Sequence, residues 1–570
     1  MEYKCRTSTT ISPPRKHYFL RPPEETDAWA SENDLNQQPI YCPQSSSSYV
    51  KSLNYDVFGQ EDCLFLDIYV RKEKISSSLP VLIYFHPGRF SYGSKEEYRA
   101  DFLLKINDMI VVIPNYRLGI LGFLSNQDSL LPGNLGLWDQ RMAMKWVFEN
   151  IEAFGGDPQM ITIAGHDAGG ASVGFHILSP LSHGYFSAAI SGSGTALDPW
   201  AMSHSSGNAV VVANSLECPT NFSDNMISCL KTKQLNDILE VQMKLSKVLF
   251  LPTIDKAADI PFLPFPPQTL YANGFQKNVS YLAGVTQEEA VAEVASEFAT
   301  AIKTQHLDKI IHHLLKPYLH GISNFHLIIK AAKYHYLRGI PVPTFESVKP
   351  QMVEMMSDFL YVSPLQSTLK WHSKKTQNTF MYVFDYKKNS DINPILNSAE
   401  EETNSDDSHM GDAIYLFNMT TFNESIVHNG RIHHVKKLLC KIWGNFVNER
   451  SPAVPNWKKF NEKERNYVEI STTIGAKINY RRHGMELWTL LVPDLQRIHN
   501  ISTEEQYIIH YVDTDSLSWG AAGLAILLGV LCIALVGVVI VTRRKLSHAS
   551  FLPVTSRKDE VHYGKIGEYM

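Results

Sequence analysis

Clustered basic charge is missing from most of this chain. The formal net charge is −5, and Lys and Arg are scattered apart from one short group near the C-terminus, so the sequence carries no footprint for nucleic acid. Low-complexity linkers and internal repeats are also lacking, which excludes solenoids and strings of small modules. Charged residues make up 19% against 44% hydrophobic, a balance that excludes a disordered chain and leaves ample material for a large core. The opening residues Met1 to Thr10 (MEYKCRTSTT) lack the apolar stretch of an export signal.

What is present contrasts with that missing leader. Gly520 to Val541, GAAGLAILLGVLCIALVGVVIV, contains no charged residue and at ~1.5 Å per residue spans roughly 33 Å, enough to cross a bilayer. Trp519 stands at its start, Asp513 and Asp515 lie upstream, and Arg543, Arg544 and Lys545 follow at once. The positive-inside rule therefore places 543–570 in the cytoplasm and the large N-terminal part outside, the orientation of a single-pass type I plasma-membrane protein. An outside domain needs a leader, so the N-terminus is expected to be truncated. The expected layout is an extracellular domain over 1–505, a stalk over 506–518, a transmembrane helix over 519–542 and a cytoplasmic tail over 543–570.

Residues 1–505 alternate strand-like and helical patterns, which predicts an α/β fold. Val81 to Phe85 (VLIYF), Met109 to Pro114 (MIVVIP) and Met160 to Ala164 (MITIA) are short apolar runs suited to strands buried on both faces. Between the last two, Leu135, Trp138, Met142, Lys145 and Trp146 recur at helical spacing, so this is a strand, helix, strand crossover. Asn393 to Ser408, rich in Glu and Asp, is expected to be an exposed loop. Of the seven cysteines, Cys42 and Cys63 flank a polar loop and Cys218 and Cys229 enclose a short one, so both pairs are candidate bridges. Cys5 and Cys532 receive no role, and Cys440 is expected to be a packed thiol. Asn221, Asn278, Asn418, Asn423 and Asn500 begin glycosylation sequons.

The run Met160 to Ala164 leads directly into Gly165-His166-Asp167-Ala168-Gly169-Gly170 and then a helical stretch, which is the setting of a G-x-S-x-G nucleophile elbow. The serine is missing, and Asp167 stands in its place.

Several motifs agree in order with one family. Glu61-Asp62-Cys63-Leu64-Phe65-Leu66, Asn115-Tyr116-Arg117-Leu118-Gly119, Gly133-Asn134-Leu135-Gly136-Leu137-Trp138-Asp139-Gln140 and Phe154-Gly155-Gly156-Asp157-Pro158 resemble signatures of the type-B carboxylesterase and cholinesterase family, across nearly the whole outer domain. The resemblance implies an α/β-hydrolase fold, a central mostly parallel sheet flanked by helices. It implies the bridges Cys42–Cys63 and Cys218–Cys229, with Ser363 and Met485 occupying both positions of a third. The family's Ser, Glu and His map onto Asp167, Glu289 and His409, with Glu288 the competing register for the acid. The oxyanion donors map onto Gly88, Arg89 and Ala168, in His86-Pro87-Gly88-Arg89-Phe90, where Pro87 lacks an N–H and Arg89 adds bulk. No Trp lies between Cys42 and Cys63, which argues against choline as a ligand. No cofactor and no metal are expected.

Losing the nucleophile of a comparable triad costs roughly a millionfold in turnover, about 8 kcal/mol of barrier, so serine-type ester hydrolysis is expected to be gone. Asp167 is expected to pair with His409 or with Arg89, the guanidinium folding over to close the oxyanion site. The architecture is similar to the family's non-catalytic cell-adhesion members such as neuroligin, neurotactin and gliotactin. On that resemblance the expected partners are an extracellular protein, the bilayer through one helix, a second copy of the chain, and a cytoplasmic PDZ groove accepting Glu568-Tyr569-Met570. The alternative is a membrane-anchored hydrolase that uses Asp167 itself as nucleophile toward epoxides, alkyl halides or esters, with Glu289 orienting His409 and His409 activating water.

Overall fold

The computed structural model describes residues 2–8, 39–45, 57–74, 77–203, 208–245, 250–298, 307–319, 322, 324–340, 345–386, 409–419 and 430–501. The stalk, transmembrane run and tail expected over 506–570, the acidic stretch 393–408 and Asn423 lie outside them. Among the described residues no helix is long and apolar enough to cross a membrane.

Within the Met1–Ile501 unit, strands β1 (Glu2–Ser8), β2 (Phe65–Arg71), β3 (Leu79–Phe85), β4 (Ile110–Pro114), β5 (Gly156–His166), β6 (Ala188–Gly192), β7 (Ser280–Thr286), β8 (Thr379–Phe384), β9 (Asn466–Ile470) and β10 (Ile474–Ile478) form one sheet. Its order is β1-β2-β4-β3-β5-β6-β7-β8-β9-β10. From β4 to β9 the neighbours run parallel, while β1, β2 and β10 pair antiparallel at the edges. This is the mostly parallel sheet of the α/β-hydrolase class, and it explains the continuous apolar strands: each alternates between two covered faces. Val81, Ile83 and Phe85 of β3 join Ile161 and Ile163 on one side, and Leu82 and Tyr84 join Ala164 and Ile190 on the other. The first face packs on α1 (Leu135–Asn150), α2 (Ala168–Leu178) and α5 (Ser363–Ser373), and the second on α6 (Gly430–Glu449).

The crossover helix α1 forms, but its buried face differs from the expected one. Leu137, Gln140, Ala143, Met144 and Val147 point inward, while Trp138, Met142, Lys145 and Trp146 are half-buried at its flanks. Indole rings inflate the apparent apolar stripe, whereas both tryptophans lie at the rim, Trp138 edge-on to Phe262 and Trp146 against Phe154. Both bridges, Cys42–Cys63 and Cys218–Cys229, are formed, and Cys440 is buried. Ser363 and Met485 are buried on segments joined instead through Arg481, whose Nη1 lies 2.9 Å from Asp358 Oδ1.

The sequence motifs turn out to hold the loops of the sheet's C-terminal edge. Arg117 clamps Asp139 through Nε to Oδ2 at 2.7 Å and Nη2 to Oδ1 at 2.6 Å, while its backbone N–H also donates to Oδ2 at 3.0 Å. This joins the loop after β4 to α1. Asn115 Oδ1 accepts from Ser94 and Lys95, and its Nδ2 donates to the carbonyls of Ile40 and Cys63. Because the fork and the carboxylate are both buried, removing one strands the other in low dielectric. Arg117→Leu should therefore lower unfolding stability by about 3–5 kcal/mol in chemical denaturation; a loss below about 1 kcal/mol, the level of an exposed pair, would show the clamp to be dispensable.

Candidate functional site

Asp167 sits between the last residue of β5 and the first of α2, at φ 51° and ψ −121°. A non-glycine residue with positive φ is strained, and here the surroundings leave no alternative. The turn is so tight that a Cβ on Gly169 would lie 2.0 Å from the Phe85 carbonyl oxygen, and one on Gly165 would lie 2.3 Å from the Gly169 backbone. The elbow thus projects the Asp167 side chain above the edge of the sheet, although the residue is an acid.

The facing loop supplies donors to meet it. Gly88 N–H and Arg89 N–H both donate to Asp167 Oδ2, at 2.9 and 2.8 Å. Gly88 takes φ 125°, Arg89 φ 51° and Phe90 φ 59°, so the bulky residue at 89 does adopt the close backbone approach. Each left-handed non-glycine residue costs roughly 1–3 kcal/mol. The loop is held by Tyr116, which donates its hydroxyl to the His86 carbonyl at 2.8 Å and stacks on the His86 ring at 4.3 Å. Gly119 N–H donates to the Phe90 carbonyl at 2.7 Å. Burial pushes His86 down to about 4, with its bond to the Pro87 carbonyl opposing, so its ring is neutral. Ala168, the third expected donor, begins α2 beside this pair.

The expected swing of the Arg89 guanidinium onto Asp167 does not occur. Its Nη2 pairs with Glu293 Oε1, which also accepts from the Tyr361 hydroxyl at 3.2 Å. Peptide N–H groups already fill the hydrogen-bonding side of Asp167 Oδ2, and the longer guanidinium reaches outward to the carboxylate on the neighbouring helix.

On the other side, His409 Nε2 lies 3.3 Å from Asp167 Oδ1, an ion-pair contact, and His409 Nδ1 bonds Glu289 Oε2 at 2.7 Å. Glu289, fully buried, also accepts from Thr286 N–H at 2.6 Å and the Ser193 hydroxyl at 2.7 Å. Of the two competing acids, Glu289 faces the imidazole and Glu288 is half-buried beside it. The Tyr361 ring covers His409 at 4.8 Å. Burial disfavours the imidazolium, but Asp167 and Glu289 outweigh it and raise His409 to about 10. Burial likewise works against the Asp167 anion, yet His409, Arg89 and the Arg89 N–H hold its carboxyl well below the usual carboxylate range.

A second buried constellation lies behind the elbow. His166 Nδ1 meets the Tyr84 hydroxyl at 3.1 Å, its Nε2 lies 3.2 Å from Asp412 Oδ2, and its ring stacks on Trp443 at 5.3 Å. Tyr382 donates to the same Asp412 oxygen at 2.6 Å. Asp412 follows His409 by three residues, so this pair ties the His409 turn to the elbow strand. Sequence reasoning missed Asp412, Ser193, Glu293 and Tyr361; only the short spacing of His409 and Asp412 hinted at one of them.

The Carboxylesterase family profile matches residues 12–488. The chain is 31% identical over 500 residues to venom carboxylesterase-6 of Apis mellifera, covering 84% of this chain and 88% of that one. It is 32% identical over 505 residues to bile salt-activated lipase of Bos taurus, covering 82% and 81%. It is 26% identical over 554 residues to neuroligin-2 of Mus musculus, covering 86% of this chain and 64% of that protein. Names of enzymes and of a neuroligin stand side by side, so similarity alone leaves the chemistry to the site.

The charge set has a pH signature. His409 is raised from about 6.5 in the unfolded chain to about 10 in the folded one. Its contribution is full below about pH 6.5 and lost as pH rises through about 10. Asp167 is lowered, so its contribution is present above about pH 3.9 and lost as pH falls. Melting temperature measured against pH should decline between neutrality and pH 10, and Asp167→Asn should bring the His409 pKa, followed by NMR, down by about 1–3 units. An Asp167→Asn titration superimposed on the parent would refute the pairing.

Proposed function

The chain belongs to the carboxylesterase family, and from that premise we propose that it is a cell-surface binding protein of the adhesion type in which serine-type ester hydrolysis has been lost. The observation that carries this reading is the position of Asp167 Oδ2 on the Gly88 and Arg89 N–H groups. Those donors would have to receive the oxyanion of an acyl-transfer intermediate, and a carboxylate oxygen of the protein already uses them. An imidazolium locked between two carboxylates has no lone pair with which to accept a proton at neutral pH. The apolar run 519–542 supports a membrane anchor, with the domain before it outside and the tail after it in the cytoplasm. An extracellular protein ligand, a second copy and a PDZ-type partner at Glu568-Tyr569-Met570 belong to the same proposal.

One observation favours a second reading. A carboxylate nucleophile needs one oxygen stabilised by N–H donors and the other free to attack, and Asp167 presents Oδ2 to the donors and Oδ1 toward His409. An alkyl-enzyme ester would form at Oδ1 with departure of halide or opening of an epoxide, and a neutral His409 would then activate water. The charged state of His409 opposes that last step, which is why binding is the preferred reading.

Turnover by the purified glycosylated chain against aryl esters, epoxides and alkyl halides separates the two. The expected parent activity is none, and Asp167→Ser should restore measurable aryl-ester turnover only where the freed N–H groups are sufficient. Epoxide or halide turnover abolished by Asp167→Ala would establish the carboxylate as a nucleophile and end the binding proposal. The extracellular placement has its own check by glycosidase shift of sequon variants. Asn221 and Asn278 are exposed and should carry glycans. Asn418 should not, because its Oδ1 accepts from Lys436 Nζ at 2.5 Å and its backbone pairs with the Tyr98–Arg99 strand.

A further inference from the structure

Helices α3 (Leu307–Leu315) and α4 (Phe325–Leu337) pack together far along the chain from Asp167. Residues 307–340 hold Lys309, Lys316, Lys330, Lys333 and Arg338 against a single carboxylate, Asp308, in a chain whose net charge is −5. The cations are arranged. His326, Lys330, Tyr334 and Arg338 recur at every fourth residue along α4 and its C-cap, and all four are exposed, which puts them in one row on the outer face. Lys309 is exposed on α3 and Lys316 just past its end, and Lys333 Nζ bridges to Asp308 Oδ1 at 2.7 Å, joining the two helices.

The inner face of α4 already has a structural task. Ile328, Ile329, Ala332 and Tyr336 are buried, Tyr336 donates to Asp358 Oδ2 at 2.8 Å and accepts from Trp488 Nε1 at 2.9 Å, and Asn324 Nδ2 donates to the Leu495 carbonyl at 3.1 Å. Nothing in that packing asks for lysines outside, nor for Tyr334 to stand 70% exposed among them.

We infer that this outer row is a binding surface for a linear sulfated polysaccharide. The 13 residues of α4 make a line about 20 Å long with successive members of the row about 6 Å apart and Lys330 and Arg338 about 12 Å apart on either side of Tyr334, the shape of an extended polyanion and not of a plane. A lipid surface would call for a broad apolar face beside the cations, whereas among the described residues of α3 and α4 the exposed large apolar side chains are Tyr334 and Leu327. The Tyr334 ring, in mid-row, presents a flat apolar face on which the C–H side of a sugar can pack, while Lys330 and Arg338 on either side meet sulfate groups. The inference rests on the cell-surface reading only for where such polymers are met.

The test is binding of a heparin octasaccharide to the full chain in neutral detergent micelles, across a salt series. Lys330→Glu with Arg338→Glu should weaken binding roughly tenfold or more and reduce the slope of log affinity against log salt by about two. Tyr334→Ala should weaken binding with the slope unchanged. Lys458→Glu with Lys459→Glu, the same charge change on another exposed surface, should leave affinity within about twofold. Equal losses from both pairs would reduce the effect to net charge and overturn the inference, as would failure of the octasaccharide to bind. Binding to phosphatidylserine vesicles with the same variant sensitivity, without octasaccharide binding, would replace the polysaccharide by a membrane. The row shares no residue with the Asp167 site, so esterase turnover and octasaccharide binding are read by separate variants and fail independently of one another.

Discussion

Everything at the centre of this molecule is arranged around one carboxylate. Asp167 is thrust up by a strained turn, receives two peptide N–H groups on one oxygen and faces an imidazolium with the other. An uncompensated carboxylate in that position would be costly, because burial disfavours its charge. It is tolerated because the fold brings partners to it from two separate places: the loop after β3, with the Gly88 and Arg89 N–H groups, and the His409 segment more than two hundred residues downstream.

The chemistry of the site follows from counting charges. With a serine the elbow would hold a neutral hydroxyl, and a Glu–His pair would keep the imidazole ready to take a proton. With Asp167 the set becomes anion, cation, anion, and both carboxylates stabilise the proton that a general base would have to lack. The same groups that build an acyl-transfer site for a serine thus build a closed ion triplet for an aspartate. Strain at Arg89 and Phe90 is retained in the facing loop, held by Tyr116, Gly119 and the Arg117–Asp139 clamp behind it.

Around this triplet lies a polar support of unusual depth. His166 and Asp412 link the elbow strand to the turn carrying His409, with Trp443, Tyr84 and Tyr382 sealing them. Arg89, Glu293 and Tyr361 close the outer side. Both sets pack around the site, and a site whose donors are taken by its own carboxylate leaves recognition to the outer surface, where the α3–α4 cations lie.

The sequence alone determined the architecture. Strands buried on both faces must be apolar throughout, so VLIYF, MIVVIP and MITIA announced a parallel sheet, and a strand running into glycines and then a helix announced the elbow and the wrong residue within it. Asp167 could be named because it sits in an elbow whose glycines are local requirements of the backbone, whereas Glu289, His409, Gly88 and Arg89 were named through the resemblance to the family. The face of α1 was misjudged because apolarity does not separate a rim tryptophan from a core leucine. The partner of the Arg89 side chain, the choice of Glu289 over Glu288 beside His409, and the roles of Ser193, Glu293, Tyr361 and Asp412 were decided by tertiary structure. Those contacts join residues that are far apart in the chain, and their direction depends on angles and distances that residue types and spacing do not contain.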